Sequence, residues 1–174
     1  MREDPEYVRA GSANLLVAYA PHQGWRQVGV TTHRTAVDWA LAMRALVDDP
    51  AFQDADRLIV VLDNLNTHRL SSLYTTFPAP EAHRIACKLE LRFTPKHGSW
   101  LNMAELDLSV RGRQCLDRRL PDRPTLATEV AAWAQARNAV AAPAHWTFTV
   151  DDARTHLTHR YPFSLCDTST WTVH

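Results

Sequence analysis

Two acids stand where carboxylate chemistry is feasible. Asp63 closes the apolar run LIVVL within LIVVLDNLNTHR (58–69), and Glu105 lies in WLNMAELDLSVRGRQCL (100–116). Converging carboxylates of this kind can hold Mg²⁺ or Mn²⁺, since hard divalent ions prefer oxygen ligands and keep some of their water. Each acid alone also has a plain structural reading. Asp is common where a strand gives way to a turn, and a Glu on a helix is most simply solvated. Spacing leaves both readings open.

The elements that must position these acids follow from apolar patterning. ANLLVAYA (13–20) and WRQVGVTT (25–32) read as two strands joined through PHQG, a hairpin. Thr35 offers an N-cap for AVDWALAMRALV (36–47), which carries one apolar stripe through Val37, Leu41 and Ala45 and another through Ala40, Met43 and Leu46 or Val47. Residues 57–62 form a nearly continuous Leu, Ile and Val run, the pattern of a strand covered on both faces, and their position after a helix suggests a parallel crossover. EAHRIACKL reads as a helix. LELRFTP (89–95) alternates like a half-buried strand closed by Pro95. A helix N-capped by Ser99 then places Asn102 and Glu105 three residues apart on one face, and a further helix spans 125–140, with Trp133 in its packed face. Mixed connections in this order favour an α/β layer fold, and in such sheets ligands gather beyond the carboxyl ends of parallel strands, where Asp63 is expected.

Composition narrows the classes. The 174 residues suit one domain, 1–162, followed by a loosely ordered tail, 163–174. Lys+Arg and Asp+Glu balance at 19 each, against a DNA binder held by bulk charge, though a local basic groove is compatible. Three widely spaced cysteines without a CxxC pair suggest a reducing compartment. With no run long and apolar enough for a membrane span or a signal peptide, the expected location is the cytoplasm. Glycine-rich phosphate loops are absent.

The blocks VLDNLNTHRLSSLYTTFP and LRFTPKHGSWLNMAELDLSVRGRQCLDRR closely resemble the DDE catalytic domain of IS630-family transposases, in the Tc1/mariner superfamily. The resemblance runs from EYVRAGSANLLVAY to DARTHLTHRYP. It implies an RNase H-like fold, a mixed sheet flanked by helices, with Mg²⁺-dependent DNA cutting and joining. Asp63 then matches the second catalytic Asp and Glu105 the final Glu, both as metal ligands; transposon ends and target DNA are the implied partners.

One part of the pattern has no counterpart. The family's first acid lies on a central strand just before the hairpin, whereas this sequence opens MREDPEYVRAGSAN, where Asp4 is a poor substitute, as is Asp38 within the first helix. The expectation is a sheet without its first, central strand, an incomplete two-ion site, and impaired activity. The chain then reads as a truncated gene product, a fragment of a longer reading frame, or a remnant whose sheet is repaired by rearrangement or dimerisation, which allows a homodimer. The alternative is an inactive RNase H-like module that acts by self-association or partner binding.

Secondary candidates surround the two acids. Lys96 and His97 sit at a helix start suited to phosphate, Trp100 offers a stacking face or a packing one, and Asn102 shares the face of Glu105. Arg111 and Arg113 begin the basic stretch RGRQCLDRR, either a DNA-backbone stripe or a solvated face. Asn64, Asn66 and His68 organise the turn after Asp63, or orient its carboxylate or a bound phosphate. His156 and His159 lack acids or cysteines nearby and make a weak metal pair.

Overall fold

The computed structural model describes residues 11–94, 104, 116, 118, 120–141, 143, 147, 149, 151, 152 and 155. Its first element is the expected hairpin. Strand β1 (Asn14–Ala20) pairs antiparallel with β2 (Trp25–Thr31), from Asn14 opposite Thr31 to Ala20 opposite Trp25. The connecting turn needs Gly24 at φ +63°, a left-handed conformation that costs glycine nothing.

Helix α1 (Ala36–Val47) begins at a full capping box. The Thr35 hydroxyl accepts from the Asp38 N–H, and the Asp38 carboxylate accepts from the Thr35 N–H at 2.9 Å. Of the two apolar stripes, the one through Ala40, Met43, Leu46 and Val47 is buried, together with Trp39. Val37 and Leu41 are exposed. A short 3₁₀ turn, Pro50–Phe52, leads to β3 (Leu58–Leu62). Helices α2 (Ser71–Thr76) and α3 (Ala79–Lys88) follow, then β4 (Leu89–Phe93). The next described helix, α4 (Arg123–Val140), starts two residues before the sequence pattern indicated, because Asp122 caps the Thr125 N–H and Pro124 sits in the first turn.

β3 and β4 run parallel, Leu58 opposite Leu89 through to Leu62 opposite Phe93. The expectation that β3 is covered on both faces is corrected. Leu62 is buried and Leu58 and Val60 pack on the core, but Ile59 is 67% exposed and Val61 52%. A continuous apolar run reports the demand for cover, and whether cover exists depends on elements distant in sequence.

Among the described residues the strands form two separate two-stranded sheets, β1–β2 and β3–β4, with none joining them. Both rest on one core. Trp39, Ala40, Met43, Leu46 and Val47 of α1 cluster with Phe52, Leu73, Ala82, Ile85 and Leu89, and both Ala18 and Trp25 of the hairpin and Val60 and Leu91 of the parallel pair pack against them. Leu73 and Ile85 are completely enclosed, each contributing about 1.5–3 kcal/mol by burial. The arrangement is a mixed α/β fold, small antiparallel and parallel sheets flanked by helices, of RNase H-like type.

Backbone polarity tells which strand edges are satisfied. The Asn138 side chain of α4 accepts from the Arg26 N–H at 2.9 Å and donates to the Arg26 carbonyl at 2.8 Å, as a neighbouring strand's peptide would. Arg26 therefore faces away from β1, and antiparallel alternation sends the polar groups of Leu15, Val17 and Tyr19 off the opposite edge of the hairpin. In the parallel pair the Thr94 N–H donates to the Leu62 carbonyl at 2.9 Å. Leu62 thus faces β4, and Ile59 and Val61 direct their backbone groups to the other side.

The chain divides into two compact units, Met1–Ala144 and His145–His174. In the second, Thr149 and Asp152 form a capping box, with the Asp152 carboxylate accepting from the Thr149 N–H at 2.8 Å. The boundary expected at 162/163, and His156 and His159, lie outside the described residues. Among the described residues, no helix is long and apolar enough to cross a membrane.

Candidate active site

Asp63 follows the last residue of β3 directly, at the carboxyl end of the parallel pair. The segment from it to α2 is fastened at several points. The Asn64 side-chain N–H donates to the Thr94 carbonyl at 2.6 Å, tying the segment to the end of β4. Its middle turns through a bond from the His68 N–H to the Leu65 carbonyl at 3.0 Å. Its far end is held where the Ser72 hydroxyl donates to the Thr67 carbonyl at 2.9 Å. A strand end braced in this way fixes the direction of the Asp63 side chain far better than a free loop.

The carboxylate has two different sides. Oδ1 is buried and lies 2.7 Å from His68 Nδ1, yet the ring N–H points off the line between them, so the contact is a close polar approach without an aligned hydrogen bond. The rest of the side chain reaches solvent: Asp63 is 42% exposed, against 13% for His68. Behind the imidazole stands Trp39 of α1, 3% exposed, its ring offset-stacked at 5.9 Å between centroids and 26° between planes. Asp63 Oδ1 and both ring nitrogens of His68 are buried without an aligned partner among the described residues, a combination that costs stability unless a cation or another polar group completes it.

These atoms suit one ligand position of a hard divalent ion. A carboxylate with one oxygen held inward and the other side open, at a strand's carboxyl end, has the chemistry for Mg²⁺ or Mn²⁺. Among the described residues, no group of three or more His, Cys, Asp or Glu is placed to hold a metal. Asp38, the alternative acid of the first helix, is engaged elsewhere. Bonds from the Thr35 hydroxyl and then the Thr35 N–H hold its carboxyl below its ordinary 3.8.

Of the residues singled out in the sequence, the structure brings His68 to Asp63 and bonds the Asn64 side chain to the Thr94 carbonyl. Asn66 lies exposed in the turn. Glu105, Lys96, His97, Trp100, Asn102, Arg111 and Arg113 lie outside the described residues. Trp133, read as packed, is half-buried on α4, with the buried Arg26 guanidinium 5.4 Å above its ring. Two participants went unnoticed in the sequence. Thr94 contributes only its carbonyl, for which no side-chain signal exists. Trp39 was visible as an aromatic in an amphipathic helix, but nothing local tied it to His68.

Comparisons with curated proteins and with solved structures returned no match. Residues 1–127 match the family described as DDE superfamily endonuclease, a span that includes Asp63, its bracing segment and the sequence block around Glu105. The chain belongs to the DDE superfamily endonuclease family.

Proposed function

We propose that the chain is the catalytic domain of a DNA transposase of the IS630 type, within Tc1/mariner, acting by metal-dependent strand cleavage and strand transfer. The single observation that carries this reading is Asp63, braced at the carboxyl end of a parallel strand pair within a chain of the DDE endonuclease family. Asp63 and Glu105 are the carboxylates that would hold Mg²⁺ or Mn²⁺. Bound there, the ion stabilises charge on the attacking and leaving oxygens of a displacement at phosphorus. Asp63 supplies an oxygen ligand, and His68 and Asn64 keep that ligand's strand end in place. Lys96, His97, Trp100, Asn102, Arg111 and Arg113 are assigned to the DNA, by phosphate pairing and stacking.

Activity is expected to be weak, since among the described residues the two sheets share a core without a strand joining them. Nicking of supercoiled plasmid DNA in Mn²⁺ is the test. Low but measurable nicking by the unaltered chain, lost in Asp63→Asn and in Glu105→Gln, is the expected result. Nicking that survives both substitutions would sink the assignment.

A second reading has its own support in two strand edges that lack a partner strand among the described residues, Leu15, Val17 and Tyr19 on one sheet and Ile59 and Val61 on the other. It makes the chain an inactive RNase H-like module that works by self-association or partner binding. It predicts an oligomer without measurable Mn²⁺ affinity, whereas the first reading requires affinity that depends on Asp63.

A further inference from the structure

The contact between Asp63 and His68 is local, but what holds His68 is not. The imidazole is 13% exposed, its two nitrogens are fully buried, and neither has an aligned hydrogen bond among the described residues. Hydrogen bonding therefore does not set the orientation of the ring. Its backbone is fixed by the bond from its N–H to the Leu65 carbonyl, which leaves the side-chain torsions free. The flat surface it meets is the indole of Trp39, nearly parallel at 26° and offset at 5.9 Å, within the range in which aromatic pairs select a preferred geometry.

Trp39 cannot shift easily. It is 3% exposed within the α1 core cluster, and it lies in the first turn of that helix, where its N–H donates to the Thr35 carbonyl at 3.2 Å beside the Thr35–Asp38 capping box. A rigid chain of contacts thus runs from the capped start of α1 through Trp39 and His68 to Asp63 Oδ1, 2.7 Å from Nδ1. We propose that Trp39 is a positioning residue for the cation site: through His68 it fixes one carboxylate oxygen of Asp63 inward and so presents the other side to a divalent ion. The inference rests on the reading of Asp63 as a metal ligand. It assigns a role to a residue outside the acids, the surrounding loop and the DNA-contacting set.

The consequence is a gain in affinity without a gain in ligands. Residues that orient a metal ligand typically change affinity by roughly 10- to 100-fold when removed. Loss of the stack frees His68 to rotate, and Asp63 then samples directions in which it does not meet the ion.

Mn²⁺ binding followed by loss of the free-ion electron paramagnetic resonance signal tests this without recourse to activity. His68→Leu keeps an apolar group against Trp39 but removes the contact to Oδ1; Trp39→Leu removes the flat surface; Trp39→Phe restores it in smaller form. The expected result is roughly 10-fold weaker Mn²⁺ binding in His68→Leu and in Trp39→Leu, affinity within about threefold of the unaltered chain in Trp39→Phe, and no further loss in the double variant. Circular dichroism confirms that each variant is folded at the temperature used. If Trp39→Leu is unfolded there, the comparison of Trp39→Phe with His68→Leu decides: equal losses in both overturn the proposal. Unchanged affinity in folded Trp39→Leu, or additive losses in the double variant, overturns it as well. Mn²⁺ binding that is absent from the unaltered chain, or equal in Asp63→Asn, instead overturns the metal reading of Asp63, and the role of Trp39 falls with it.

Discussion

Asn64 shows how much one side chain contributes to holding an acid in place. Its amide donates to the Thr94 carbonyl at 2.6 Å, and Thr94 is itself buried at the end of β4. Asn64→Ala leaves that carbonyl without its donor and is expected to cost about 1–2 kcal/mol. For a chain of this size that corresponds to a fall of roughly 2–8 °C in the thermal midpoint, measurable by calorimetry. An unchanged midpoint would mean that the segment after β3 is held by its other bonds alone. The acid of this segment was legible in the sequence because an apolar strand ending in Asp is a local pattern. The approach of His68, five residues on, was partly legible for the same reason. Trp39 was not, since its meeting with His68 depends on how α1 packs, and neither residue's own neighbours encode that.

Elements divide in the same way. The hairpin, the Thr35-capped helix and β4 are decided by contacts a few residues apart, so turn residues, caps and alternation sufficed to place them. The one-sided exposure of β3 was missed because it depends on cover from elsewhere, and α2 was masked by the prolines that follow it. Two element-scale outcomes follow from the bonds observed. Asn138→Leu removes both bonds to the Arg26 backbone on β2, an expected loss of about 2–3 kcal/mol in urea-unfolding experiments. The capping box of α1 gives a pH signature. Asp38 is held below its ordinary 3.8 by the Thr35 hydroxyl and N–H, so the stability it adds is fully present above pH 3.8 and is lost as the pH falls through its lowered folded value. Asp38→Asn has no such titration. Its deficit relative to the unaltered chain is expected to be about 0.5 kcal/mol at neutral pH, as for a solvent-screened carboxylate in a helix's first turn, and to shrink steadily below 3.8, as read from urea midpoints. A deficit that stays constant would place the helix start under some other control.

At the scale of the molecule, one core carries two sheets, each with an edge left without a partner strand among the described residues. α4 closes the outer edge of β2 through Asn138, which leaves Leu15, Val17 and Tyr19 of β1 directing peptide groups outward. On β3 the backbone of Ile59 and Val61 points away from β4, and their side chains, 67% and 52% exposed, add apolar surface beside the same edge. Proteins that remain monomeric blunt such edges with charge or cover, and here the described residues of β3 supply neither. Concentration-dependent association is therefore expected, and sedimentation velocity across a wide range of protein concentration measures it. A lysine at an exposed edge position introduces the blunting charge without disturbing packed atoms, so Val61→Lys and Ile59→Lys should weaken association by at least about 10-fold while changing stability by no more than about 0.5 kcal/mol. Equal association of the variants and the unaltered chain would locate the contact away from β3 and leave the β1 edge, tested in turn by Val17→Lys. Because β3 ends directly at Asp63, pairing along its edge and occupation of the carboxylate share one strand. Any effect of Mn²⁺ on the dimerisation constant should then be matched by an equal effect of dimerisation on Mn²⁺ affinity, and both should vanish in Asp63→Asn.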